Sequence, residues 1–150
     1  MSSFLPGRPI EILLVEHNLH DVELVQETLR DAEVKNNMHI AMDGVQALSF
    51  LRGEGEYRKM PRPDFILLEL NLPKKDGREV LEEIKADVSL KRIPVLVLTT
   101  SQDQEDVLLA YALQANCYIT KPIDSDRFVR VVKNIEEFWL NIVKLPRHLD

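Results

Sequence analysis

The stretch Phe65-Ile66-Leu67-Leu68-Glu69-Leu70-Asn71-Leu72-Pro73-Lys74-Lys75-Asp76-Gly77 decides the fold. Phe65 to Leu68 form a short continuous apolar run, bounded by Pro63-Asp64 before it and by Asn71, Pro73 and Gly77 after it. Such a run predicts a strand buried on both faces, since a strand with one wet face alternates apolar and polar residues. Glu69 stands where that strand ends. In an open parallel sheet, ligands and chemistry gather in the crevice beyond the carboxyl ends of the strands. An acid there is either a solvated strand-end side chain or the centre of a site.

Working upstream, Ile10 to Val15 reads as a strand, apolar except at Glu11, that ends at Glu16-His17. Asn18 is placed to cap a helix that turns Val22, Val25 and Leu29 inward and closes near Ala32. Its early acids, Asp21 and Glu23, suit the positive end of a helix. A brief strand over Met38 to Ala41 precedes a helix capped by Asp43, carrying Val45, Leu48 and Leu51 and stopped by Gly53. The irregular segment Gly53 to Pro63 reads as a surface loop.

Downstream, Asp76 and Glu79 have capping-box spacing ahead of a helix with Val80, Leu81 and Ile84. Val95 to Leu98 is a second apolar run, ending in Thr99-Thr100-Ser101. Ser101 and Gln104 repeat the capping spacing before a helix through Val107, Leu108, Tyr111 and Ala112. A last strand, Cys117 to Thr120, ends at Lys121-Pro122, and Asp124 or Ser125 opens the final helix. Five strands alternating with five helices imply a parallel sheet wrapped on both faces by right-handed crossovers. The leading topology is a flavodoxin-like (βα)5 doubly wound sheet with strand order 2-1-3-4-5.

Composition narrows the function classes. The 150 residues fit a single domain, and 45% hydrophobic with 29% charged residues is the balance of a globular protein. A formal charge of -6 without a basic stripe argues against nucleic acid as a partner and favours protein. The single cysteine, Cys117, excludes an intramolecular disulfide framework and reads as a small buried side chain. No apolar run approaches the roughly 18 residues of a membrane span, and the N-terminus lacks a signal-peptide core, so a cytoplasmic, membrane-free protein is expected.

The strand ends collect Glu16 and His17, Glu69, Thr99 and Lys121 on one crevice. With these residues in these places the chain resembles the response-regulator receiver domain of two-component signalling over nearly its whole length. The phrases Asn-Leu-Pro-Lys-Lys-Asp-Gly-Arg-Glu-Val-Leu (71–81), Cys-Tyr-Ile-Thr-Lys-Pro (117–122) and Glu-Glu-Phe-Trp-Leu (136–140) look like the small stand-alone regulators that partner phytochrome-type histidine kinases. The resemblance implies a phosphoryl switch. An acceptor at the end of the third strand, here Glu69, takes a phosphoryl group from a kinase histidine. Mg2+ is held by the acceptor, by the acid pair at the end of the first strand, here Glu16 and His17, and by the carbonyl of Asn71. Lys121 neutralises phosphoryl charge, Thr99 bonds a phosphoryl oxygen, and Tyr118 changes rotamer. The Lys121-Pro122 bond corresponds to one the family usually holds cis.

Two residues depart from that pattern. Glutamate at 69 carries its carboxylate about 1 to 1.5 Å further out than aspartate, and phosphoryl transfer depends on positioning. His17 replaces the second acid, so Glu16, Glu69 and Lys121 sum to about -1 where three acids and a lysine give about -2. An Mg2+ site is therefore expected to be weakened, with Glu69 paired to Lys121. The expectation is an atypical receiver acting through protein contacts, with phosphorylation impaired or absent. Its partner would be a sensor histidine kinase or another signalling protein, and it would not be an enzyme. An orthodox Mg2+-dependent phosphoacceptor is the alternative, and a small metal-dependent hydrolase, which lacks an evident nucleophile and base, stands last. Glu69 mimics the active state, inactivates, or is an engineered replacement; the sequence leaves the three open, and names neither kinase, stimulus nor downstream target.

Three further features carry a sharp and a plain reading. His17 and His20 could join Glu16 and Glu69 around a transition metal, against solvated histidines. Lys74 and Lys75 could guide a phosphoryl donor, against a solvated loop. In the last helix, Phe128, Val131, Val132, Ile135, Phe138, Trp139, Ile142 and Val143 make one apolar stripe. Its first half should cover the sheet. Over an extended helix and tail, about 137–150, Phe138, Trp139, Ile142 and Val143 would be exposed unless a second copy covers them, so a homodimer is expected there.

Overall fold

The computed structural model describes residues 8–134 and 137. The strands are β1 (Ile10–Val15), β2 (Asn36–Ala41), β3 (Phe65–Leu68), β4 (Val95–Thr99) and β5 (Cys117–Thr120). The helices are α1 (Leu19–Asp31), α2 (Gly44–Arg52), α3 (Gly77–Ala86), α4 (Gln104–Ala112) and α5, described over 125–134. All strand pairs are parallel, in the order β2-β1-β3-β4-β5 expected of this alternation.

The alternation of side chains along each buried strand splits the core into two layers. Leu13, Val15, Ile66, Leu68, Val95 and Val97 face α2 and α3. Ile12, Leu14, Phe65, Leu67, Leu96 and Leu98 face α1 and α5, against Val22, Val25, Leu29, Phe128 and Val132. This is why the central strands read as continuous apolar runs. The first half of the last helix does cover the sheet, through Phe128 and Val132, whereas the predicted interface residues Phe138, Trp139, Ile142 and Val143 lie outside the described residues.

Most caps follow the sequence. Asn18 accepts from the N–H groups of His20 and Asp21, and Asp43 accepts from that of Gln46. Gly53 ends α2 at φ +64°, a left-handed conformation that glycine adopts without strain. Four local expectations are corrected. β2 begins at Asn36, two polar residues earlier than its apolar run, because an edge strand pairs through its backbone whatever its side chains. The loop after Gly53 holds a 3-10 turn, Gly55–Tyr57. Asp76 caps α3 through the N–H of Arg78 instead of that of Glu79. In α4 the cap position is Asp103, and Asp106 and Ala110 are buried while Leu108 and Tyr111 are 62% and 56% exposed. After Asp106 the helix is an unbroken apolar run, Val107 to Ala112, which gives periodicity no face to find.

Candidate functional site

Each site residue sits one step beyond a parallel ladder. The N–H of Glu16 donates to Ala41, that of Glu69 to Val15 and that of Lys121 to Thr99, so the three side chains leave β1, β3 and β5 at one edge of the sheet. The same alternation turns them toward α1. Gly77 brings the following loop tightly against this edge: its N–H donates to the Leu70 carbonyl, and a Cβ there would lie 2.2 Å from the Glu69 carbonyl oxygen.

Lys121 is the hub. Its Nζ donates to Glu16 Oε1 at 2.5 Å, to Asp21 Oδ2 at 2.8 Å and to Glu69 Oε1 at 2.9 Å. An ammonium has three donors, and all three are taken. Burial alone would lower the Lys121 pKa; the hydrogen bonds to Asp21, Glu16 and Glu69 override it and raise the pKa instead. The other oxygens are occupied too. Glu69 Oε2 accepts from the N–H groups of Leu70 (2.7 Å) and Asn71 (3.1 Å), and Glu16 Oε2 from that of Asn18 (3.2 Å).

Asp21 was not among the predicted site residues, and it corrects the charge count. Three carboxylates and one ammonium sum to -2, so His17 does not leave the pocket short of negative charge. The sequence held a signal: Asp21 is four residues before the buried Val25, which puts it on the inward stripe of α1, above the sheet edge. His17 itself is half exposed, with Nδ1 3.9 Å from Glu16 Oε2.

These residues suit a hard cation by chemistry but not by arrangement. Mg2+ needs carboxylate oxygens converging on one centre. Here that centre is the Lys121 ammonium, and among the described residues no three His, Cys, Asp or Glu side chains are grouped as a metal ion requires. The Asn71 N–H donates to Glu69, and the His17 and His20 transition-metal arrangement is not formed among the described residues.

Thr99 and Tyr118 belong to the opposite layer. Thr99 is fully buried, and its Oγ1 accepts from the N–H of Ser101 at 3.3 Å. Tyr118 is buried with its hydroxyl donating to the Ser101 carbonyl at 2.8 Å, and burial raises its pKa. The Lys121-Pro122 peptide is cis. Lys74 reaches Asp43 at 3.6 Å while largely exposed, and Lys75 pairs with Glu83. The sequence also gave no role to Arg78 and Asp106. The hydrogen bonds from Arg78 hold the Asp106 carboxyl down at about 2, against its burial and with help from Ser101.

Among the described residues no helix is long and apolar enough to cross a membrane. Residues 12–133 match the response regulator receiver domain. The chain is 51% identical to the response regulator Rcp1 of Synechocystis sp. (strain ATCC 27184 / PCC 6803 / Kazusa), over 92% of this chain and 94% of Rcp1. Its fold matches the crystal structure of the phosphorylated cyanobacterial phytochrome response regulator RcpA, at 52% identity and a TM-score of 0.77, covering 88% of this chain and 94% of that one. The Mn2+-bound form of Rcp1 matches equally, at 52% identity and a TM-score of 0.77, over 88% and 95%. A phytochrome-type regulator pattern, a β2-β1-β3-β4-β5 sheet and a strand-edge cluster of acids around a lysine thus converge, and the chain belongs to the response regulator receiver family.

Proposed function

We propose that this receiver works as a phosphorylation-independent signalling module, with Glu69 fixed at the acceptor position by its own pocket. One observation carries the reading: both oxygens of Glu69 are bound, one by Lys121 and the other by the Leu70 and Asn71 N–H groups. A carboxylate held by three donors is a poor nucleophile, and attack in line on a phosphoryl donor would break those contacts. The longer side chain carries its charge into the space where an aspartate would place a phosphoryl group. Lys121 fills the centre of the acid cluster, so Mg2+ binding is weakened despite a pocket charge of -2. In this reading residues 1–150 form one stand-alone receiver with an extension over about 137–150. It acts through protein contacts, with a histidine kinase or another signalling protein as partner and a second copy of itself across Phe138, Trp139, Ile142 and Val143.

The orthodox reading, acceptance of a phosphoryl group, draws on the similar RcpA having been solved in its phosphorylated form. Intact-mass analysis after incubation with acetyl phosphate and Mg2+ separates the two, with a Glu69→Asp, His17→Asp variant as control. The native chain keeps its mass while the variant gains a phosphoryl group. A phosphoryl adduct on the native chain would establish the orthodox reading.

A further inference from the structure

Arg78, in the first turn of α3, bridges to α4. Its Nε and Nη2 donate to the two oxygens of Asp106, each at 2.6 Å, a bidentate pair. Its Nη1 turns back to Asp76 at 3.0 Å and to the Leu70 carbonyl at 3.4 Å, inside the loop that leaves Glu69. Asp106 Oδ2 also accepts from the Ser101 hydroxyl at 2.6 Å, and the Ser101 carbonyl accepts from the Tyr118 hydroxyl at 2.8 Å. One chain of bonds thus runs from the backbone next to Glu69, through Arg78, Asp106 and Ser101, to the Tyr118 ring.

An acid buried on the inner face of α4 needs a partner, and an exposed surface pair would not fix geometry. This pair is different: the Asp106 side chain is only 10% exposed, and the fork geometry of guanidinium against carboxylate sets both distance and plane. We propose that Arg78 is a latch, a positioning residue that ties the loop after Glu69 to the start of α4 and so keeps Tyr118 buried. The α4 face carrying the exposed Leu108 and Tyr111 is then held in one arrangement, whichever chemistry Glu69 supports.

The test is NMR of the full chain labelled with 13C-tyrosine, with a soluble paramagnetic relaxation agent at neutral pH. Tyr57, Tyr111 and Tyr118 are the only tyrosines, and Tyr118→Phe assigns the signal. In the native chain Tyr118 is shielded and Tyr111 is not. In Arg78→Lys, which keeps the charge but not the fork, and in Asp106→Asn, relaxation of Tyr118 rises several-fold toward that of Tyr111, while Tyr57 stays as it was. Tyr118 remaining shielded in both variants would overturn the latch. So would a parallel rise at Tyr57 and Tyr118, because the pair would then only support the fold as a whole.

Discussion

Lys121 is where the chemistry of this receiver is decided. Its side chain is 7% exposed, and those of Glu16 and Glu69 are 2% and 4% exposed, so none of these charges is stabilised by water. Removing one partner of such a cluster strands the others. Lys121→Met should therefore cost about 3 to 5 kcal/mol at neutral pH in urea denaturation. The native contribution depends on pH through Lys121 itself. A base whose folded pKa is raised above its unfolded value stabilises fully below the unfolded pKa and loses that only as pH rises through the folded one. The contribution of Lys121 is thus constant across neutral pH and falls only in strong alkali. Asp21 shows what residue-level reading misses. An acid in the first turn of a helix already has an explanation in the helix dipole, so nothing in the sequence forces it toward Lys121 until the turn of α1 over the sheet edge is known.

At the scale of elements, the β3–α3 junction does the positioning. Gly77 allows the loop to fold against the backbone of Glu69 and Leu70, where a Cβ would meet oxygen at 2.2 Å and the Leu70 Cα at 2.6 Å. Backbone cannot give way as a flexible side chain can. Gly77→Ala should lower stability by about 1 to 3 kcal/mol in thermal or urea unfolding, the scale of overpacking. The strands of this framework were legible because buried parallel strands are apolar throughout, and their ends marked Glu16, Glu69, Thr99 and Lys121 as one edge. β2 was legible only in part, since Asn36 and Asn37 pair through backbone alone. The role of α4 was hidden. The Ser101 and Gln104 spacing imitates a cap, yet the Ser101 hydroxyl serves Asp106, and the one buried acid of α4 gives no sequence signal until Arg78 is seen to reach it.

For the whole molecule, a receiver that works without phosphorylation, as proposed, transmits whatever its surfaces carry. α4 presents Leu108 and Tyr111 to solvent, and the proposed pairing residues Phe138, Trp139, Ile142 and Val143 lie outside the described residues. Sedimentation should give a dimer for the native chain and a monomer for Trp139→Glu with unchanged thermal stability of the sheet core; a native monomer would remove the pairing proposal. The most direct measurement of the proposal that the Lys121 ammonium takes the place of the divalent cation is an Mg2+ titration of the native chain followed by amide NMR. No saturable shift at Glu69, Leu70 or Asn71 through millimolar Mg2+ is the predicted result, with saturable shifts in Glu69→Asp, His17→Asp. Saturable Mg2+ binding at those amides in the native chain would contradict it, because the carboxylates would then be turning from lysine to metal as an orthodox receiver requires.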